Sequence, residues 1–245
     1  MADLNGKTVL VTGGARRLGR AIAVAMAKAG AQVAFTYLNS ADDAGHTLRL
    51  IEKDAPKAFA IRCDVTNEKS IDQTIHQILD QFGKIDLLIN NAGLFQTAKL
   101  EDITAEQWDE VFAVNVRGPF LVSQRCIPSL RNARGRIINL GSLGGKKAWA
   151  THAHYCSSKA ALHMLTQVMA KSLAPEIAVN CVAPGMIDAK AGEKDPALLQ
   201  CLAERTPMKK NGAAQDVASA VMYFATAPHF ITGQTLIVDG GLGLV

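Results

Sequence analysis

The sequence contains no apolar stretch long enough to span a bilayer, which excludes a membrane-embedded helix. Met1-Ala2-Asp3-Leu4-Asn5-Gly6-Lys7 runs straight into a predicted strand, so no signal peptide is expected. Charge of one sign is missing too. Lys and Arg number 26 against 22 Asp and Glu, a net charge of +4, and no basic run argues for nucleic acid. Cysteine is sparse: Cys63, Cys126, Cys156, Cys181 and Cys201 are odd in number and have no zinc-ligand spacing. Neither a disulfide scaffold nor a zinc module is expected, and no metal; a reduced, cytoplasmic compartment is. No internal repeat, low-complexity segment or linker divides the chain.

What is present fits one large α/β domain with a sizeable core: 245 residues, 49% hydrophobic and 20% charged. Thr8–Val11 reads as a buried strand, and Arg20–Ala29 as a helix closed by Gly30. Strands are expected at Gln32–Tyr37, Ala58–Cys63, Asp86–Ile89, Gly135–Leu140, Ile177–Val182 and Gln234–Val238. Helices are expected at Ala41–Lys53, Ser70–Phe82, from the capping box at Thr104–Gln107, from Tyr155 to about Leu173, and at Gln215–Ala225. The charged stretch from Met186 to Pro207, with a helical piece at Pro196–Glu204, is a candidate lid. Strands alternating with helices through short links predict a doubly wound parallel sheet in a single domain, residues 1–245.

Between the first strand and helix lies Thr12-Gly13-Gly14-Ala15-Arg16-Arg17-Leu18-Gly19. A glycine-rich turn in that place lets backbone approach a pyrophosphate, which helix N-terminal amides then hold. An acid at the end of the second strand would read a ribose 2′-hydroxyl. Here Tyr37 is followed by Leu38-Asn39-Ser40, with no carboxylate until Asp42. Arg16 and Arg17, with Asn39 and Ser40, suit a 2′-phosphate, so NADP(H) is expected over NAD(H). Asp64, past the third strand, either accepts from an adenine amino group or starts a turn. In Asn90-Asn91-Ala92-Gly93, small residues allow close backbone approach and the amides tie neighbouring strands. Asn115 sits inside a predicted helix, where asparagine is a poor former. It either distorts the helix and holds a water or is merely tolerated.

Tyr155 and Lys159 are four apart and share one helix face. A nearby cation lowers a phenol's pKa and fits Tyr155 for proton transfer. His152 and His154 have no ligand partners at metal spacing. Cys156 is turned away from Tyr155 and packs. Trp149 and Thr151 line either a substrate mouth or a loop surface. Met164, Met169 and Met208 are expected as core or lid fillers.

Together these residues resemble the short-chain dehydrogenase/reductase family over essentially the whole length. The resemblance rests on Thr12-Gly13 through Gly19, Asp64, Asn90 to Gly93, Asn115, Ser142, Tyr155-x-x-x-Lys159, Pro184-Gly185 and Asp239-Gly240-Gly241. It implies a Rossmann-type fold and hydride transfer to a small carbonyl or imine. Tyr155 would protonate the developing alkoxide and Ser142 would hydrogen-bond the same oxygen. Lys159 would hold the cofactor ribose and depress the Tyr155 pKa, helped by the oxidised nicotinamide's charge. Asn115 would anchor a relay water. Gly13, Arg16, Arg17, Leu18 and Gly19 would bind phosphates, with Asn39 and Ser40 beside them. Asp64 and Val65 would hold adenine, and Asn91, Ala92 and Gly93 would line the ribose. Pro184, Gly185 and Ile187 would meet the nicotinamide. The resemblance also implies a homotetramer assembled through the long helices.

Two departures bear on substrate. Arg17 stands where the family usually has a glycine, a feature similar to the pteridine reductase branch. Phe95 matches that branch's pterin-stacking phenylalanine, or is an ordinary apolar pocket wall. Yet Ser142 and Gly93 stand where that branch has aspartate and serine. The Ser142–Tyr155–Lys159 set resembles 3-oxoacyl-thioester and general ketone reductases instead. Ala189 replaces a frequent nicotinamide-binding threonine. The first expectation is a 3-oxoacyl thioester or ketone reductase and the second a dihydropterin reductase. A non-catalytic NADPH sensor is the alternative of another class.

Overall fold

The computed structural model describes residues 3–55, 57–188 and 196–245. Seven parallel strands form one sheet: β1 (Thr8–Val11), β2 (Gln32–Tyr37), β3 (Phe59–Arg62), β4 (Leu87–Asn90), β5 (Arg136–Leu140), β6 (Ala178–Pro184) and β9 (Thr235–Val238). Their order is β3-β2-β1-β4-β5-β6-β9. A second ladder pairs β7 (Ile187–Asp188) with β8 (Gly212–Ala213). The helices are α1 (Arg17–Lys28), α2 (Ala41–Ile51), α3 (Glu68–Phe82), α4 (Ala105–Phe112), α5 (Gly118–Ala133), α6 (Ala153–Leu173), α7 (Pro196–Arg205) and α8 (Ala214–Thr226).

The central strands are buried on both faces, so they read as apolar runs rather than as alternation. The period of two still sorts the side chains. Val9 and Val11 of β1, Leu87 and Ile89 of β4, and Ile138 and Leu140 of β5 join a cluster with α1 and α8. Leu10, Leu88 and Ile137 point the other way, into a cluster with α3, α5 and α6. On that second face two asparagines replace apolar residues. Asn90 donates to Ser123 Oγ at 3.0 Å and to Asn139 Oδ1 at 2.9 Å, and Asn139 donates to Thr166 Oγ1 at 2.9 Å. Buried amides are tolerable only when paired; these pairs tie β4, β5, α5 and α6 together.

The long helix expected after Thr104 does start on a capping box. Thr104 Oγ1 accepts from the Gln107 amide at 3.2 Å, and Gln107 Oε1 accepts from the Thr104 amide at 3.0 Å. It does not run straight. Between α4 and α5 lies a π-helical turn, Ala113–Arg117, with Asn115 fully buried at its centre.

Candidate active site

The chain steps outward from β1 to β3, then returns to place β4 on the other side of β1. Neighbouring loops diverge at that reversal and open a crevice at the strands' carboxyl ends. The loops after β1, β2, β3, β4, β5 and β6 carry Gly13 to Arg16, Asn39 and Ser40, Asp64 and Val65, Asn91 to Gly93, Ser142, and Gly185. Residues scattered from 13 to 187 are thereby gathered at one end of the sheet.

The turn after β1 is held from two sides. Thr36 Oγ1 accepts from the Gly13 amide at 3.1 Å, and Asn91 Nδ2 donates to the Thr12 and Gly13 carbonyls at 3.0 and 2.9 Å. A side chain at Gly19 would overlap the Gly13 carbonyl, so the first turn of α1 packs directly on the loop. Arg17 has φ +51°. That left-handed conformation suits glycine, and a β-carbon there costs about 1–2 kcal/mol. Arg16 and Arg17 are both exposed. Arg20 is tied to the scaffold: it binds the Ala15 carbonyl, Thr47 Oγ1 and Asp43 Oδ1. Ser40 precedes α2 without a side-chain capping bond, and Asn39 is exposed. A tight backbone cradle at this place in the sheet suits a dinucleotide.

At the adenine end, Asp64 Oδ1 accepts from the Thr66 amide at 2.8 Å and hydroxyl at 2.7 Å. The turn reading is realised at that oxygen. Val65 belongs to the core, and both its side chain and its carbonyl oxygen lie against the position of Gly118.

At the other end stand Ser142, Tyr155 and Lys159. Ser142 follows β5, its hydroxyl accepts from the Gly144 amide at 3.0 Å, and it is near enough to the Tyr155 phenol to pull its pKa down. Tyr155 and Lys159 lie one turn apart on α6. Lys159 is 5% exposed and its Nζ donates to the Leu140 carbonyl at 2.8 Å. A β-carbon on Gly93 would lie 3.7 Å from Lys159 Nζ and 3.4 Å from Asn115 Oδ1. The Asn115 amide is fully used: Oδ1 accepts from the Leu94 amide at 2.8 Å, and Nδ2 donates to the Leu94 carbonyl at 2.9 Å and to Ser158 Oγ at 3.0 Å.

The electrostatics correct one expectation. Burial pushes the Tyr155 phenol above its usual pKa, the Ser142 hydrogen bond pulling it down and Cys156 adding to the rise. Lys159 does not depress it within the chain itself. Its ammonium lies 5.8 Å from the phenol ring centroid and faces Leu140, and burial draws its own pKa down to about 8. In both groups desolvation is the largest cause and works against the charged form, raising the phenol and lowering the amine.

Over Tyr155 stand two aromatic rings. Phe95 meets it edge-on at 4.8 Å and Trp149 lies parallel at 6.2 Å. His152 touches both rings and is fixed by Thr97 Oγ1 and Thr151 Oγ1, each at 3.0 Å. Trp149 is thus a wall of the site. Cys156 packs against Gly144, as expected. Met169 is buried, but Met164 and Met208 are 58% and 64% exposed, against the expectation of fillers. Pro184 ends β6, and Ile187 is buried in β7 beside Gly212. Ala189 and residues 189–195 of the candidate lid lie outside the described residues.

The family model described as "Enoyl-(Acyl carrier protein) reductase" matches residues 13–243. A 3-oxoacyl-[acyl-carrier-protein] reductase of Staphylococcus epidermidis is 36% identical over 96% of this chain and 98% of its own. A sorbitol dehydrogenase of Cereibacter sphaeroides is also 36% identical, over 97% and 98%. A dehydrogenase/reductase from Sinorhizobium meliloti 1021 superposes with TM-score 0.93 at 38% identity, covering 98% of this chain and 96% of its own. A short-chain dehydrogenase/reductase from Serratia marcescens does so with 0.92 at 35%, covering 98% and 99%. The chain belongs to the short-chain dehydrogenase/reductase family. It is an oxidoreductase of CH–OH and C=O groups that uses a nicotinamide cofactor.

Within this short-chain reductase, sequence reasoning passed over His163, one turn beyond Lys159 on the same face of α6. It stands in an apolar run, Ala160-Ala161-Leu162-His163-Met164-Leu165, with nothing nearby in sequence to suggest a partner. Its partner is 21 residues away: the Ser142 amide donates to His163 Nε2. The signal available was the repeated spacing 155, 159, 163 with a polar residue each time.

Proposed function

We propose that this enzyme uses NADPH to reduce a small carbonyl compound, a 3-oxoacyl thioester or a ketone. The observation that carries the reading is the convergence of Ser142, Tyr155 and Lys159 beside Gly93, at the mouth of a crevice bordered by Arg16 and Arg17. Arg16, Arg17, Asn39 and Ser40 would hold the 2′-phosphate; the turn from Gly13 through Leu18 to Gly19 would hold the diphosphate. Asp64 and Val65 would meet adenine, Asn91 to Gly93 and Lys159 the ribose, and Pro184, Gly185 and Ile187 the nicotinamide. When bound, the cofactor supplies the hydride.

The chain's part is the proton and the oxygen. A phenol pushed up by burial stays protonated at neutral pH, the form that gives a proton in the reductive direction. Tyr155 donates it to the substrate oxygen as negative charge develops there. The Ser142 hydroxyl donates to the same oxygen and stabilises that charge. The Asn115 carbonyl holds the water that resupplies the proton by way of Lys159. Tyr155→Phe should lose at least about a hundredfold in turnover, as general acid catalysis is worth about 10²–10⁴, while NADPH fluorescence still reports binding. Near-normal turnover in that variant defeats the reading. So does an absence of NADPH oxidation across a panel of 3-oxoacyl thioesters and ketones, the outcome a non-catalytic sensor predicts.

The Phe95 and Trp149 rings over Tyr155 favour a second substrate reading, a flat dihydropterin. Dihydropterin turnover that collapses in Phe95→Ala supports it. The cytoplasm is the proposed compartment; no helix among the described residues is long and apolar enough to cross a membrane. A homotetramer is the proposed assembly. Phe120, Met164 and Val168 are exposed together on α5 and α6, 41%, 58% and 52%, next to a groove of about 720 Å³ lined by Phe112, Val116 and Leu165. Light scattering at one chain mass would reject it.

A further inference from the structure

Tyr155, Lys159 and His163 form a stripe along α6, and the first two have roles in the reading above. The third is nearly fully buried, at 6% exposure. Its ring lies under the loop Gly141-Ser142-Leu143-Gly144-Gly145. A β-carbon on Gly141 would overlap Nε2, and one on Gly145 would come within 2.7 Å of Cε1 and 2.9 Å of Nδ1. The glycines at 141 and 145 leave the imidazole its space, so loop and ring touch on both sides of the serine. The Ser142 amide donates to Nε2 at 3.4 Å. The loop is otherwise tied by the Gly141 amide to the Val182 carbonyl at 2.8 Å and by the Gly145 amide to the Ser142 carbonyl at 3.0 Å.

We propose that His163 is a positioning residue for Ser142: its imidazole fills the space under the loop, accepts the serine's amide proton and thereby sets where the serine hydroxyl stands. The arrangement requires a neutral ring with its hydrogen on Nδ1. That N–H is buried with no partner among the described residues. A buried polar group without a partner is costly, and an aliphatic side chain would fill the same volume without it. The gain is at Nε2, which meets an amide that no aliphatic group could pair. The cations around the ring reinforce the neutral state. Burial first, and then Lys159 on α6 and Lys146 on the loop, draw the imidazole down to about 4. Cys181 of β6, beside Gly141, is pushed up to about 11 and is a neutral thiol.

This rests on the reading of Ser142 as a donor to the reacting oxygen, and the test separates the two. His163→Leu should lower kcat about tenfold, since sub-ångström displacement of a catalytic group costs one to two orders of magnitude, with KM for NADPH within twofold. His163→Gln, whose carbonyl can accept, should restore part of it. In a Ser142→Ala background, His163→Leu should cost less than twofold, because its route to the chemistry is already gone. An equal loss in both backgrounds overturns the inference and leaves the role of Ser142 intact. A fully active Ser142→Ala overturns the role of Ser142 itself. Should His163→Leu fail to fold, His163→Asn carries the same cycle, its amide being too short to reach. The wild-type protein gives an independent check: ¹⁵N shifts of the His163 ring should show a protonated Nδ1 and a bare Nε2. A proton on Nε2 overturns the proposal whatever the variants do.

Discussion

Arg17 holds a backbone conformation that glycine would hold more cheaply, and it sits on the rim of the cofactor crevice. Strain of that kind persists where the side chain has a use. Arg17→Gly relieves that backbone penalty. It should also cut kcat/KM for NADPH at least tenfold while leaving that for NADH within threefold. Equal losses with both cofactors would show that the guanidinium does not read the 2′-phosphate. Lys159 makes the second prediction at this scale. Its ammonium gives up its proton near pH 8, and kcat/KM reports groups of the free enzyme. In the reductive direction kcat/KM should therefore fall as pH rises through about 8. The sign for stability is opposite. The folded pKa lies below the ordinary value, so between about 8 and 10.5 the unfolded chain holds the extra proton. Stability from this group then rises with pH across that window. A kcat/KM profile flat from pH 7 to 9 would refute the assignment.

At the scale of elements, the π turn at Ala113–Arg117 and α6 are one device. Asn115 pairs both backbone groups of Leu94 and also Ser158, whose hydroxyl returns to the Tyr155 carbonyl at 2.7 Å. Asn115→Ala should destabilise the protein by about 1–3 kcal/mol, read by urea denaturation, because the half-buried backbone groups of Leu94 and the buried Ser158 hydroxyl lose their partner. A loss under 0.5 kcal/mol would mean that these groups find other partners. Much of this level could be read from the sequence. β2 falls at Gln32–Tyr37 as expected, and the capping box at Thr104 forms as its spacing requires. α1 begins a turn earlier than Arg20 because the phosphate loop itself winds into the helix at Arg17. The π turn could only be suspected, since a helical pattern of hydrophobic residues does not say where one extra residue will be accommodated. The β7–β8 ladder was not legible at all: two residues pairing with two others 25 positions away leave no periodicity to detect. The Tyr155 pKa was misjudged for a similar reason. The i, i+4 spacing shows that two side chains share a face, but not that the amine turns to the Leu140 carbonyl.

For the molecule as a whole, the sheet has a seam between β1 and β4. The loop after β1 and the residues proposed to hold the 2′-phosphate come before residue 41 of the chain. Asn115, Ser142, Tyr155 and Lys159 all come after Asn90, on the far side. A dinucleotide in the crevice touches both, so its binding energy adds to that of the β1–β4 pairing. At a concentration a hundred times its Kd a ligand stabilises the fold by about 2.7 kcal/mol, a melting shift of about 5–10 °C for a chain of this size. NADPH should produce that shift, and NADH at the same concentration clearly less. Identical shifts would argue that the rim arginines play no part in holding the two halves together.

That seam makes the cofactor a rivet as well as a reagent. When reduced and oxidised dinucleotide run low together, the joint is left to the three paired positions of β1 and β4, the Asn91 bonds to Thr12 and Gly13 and the packing of α1 on α8, and the chain becomes easier prey for proteases. The lifetime of this enzyme in a cell would then follow the size of the nucleotide pool, with no regulator needed beyond the crevice itself.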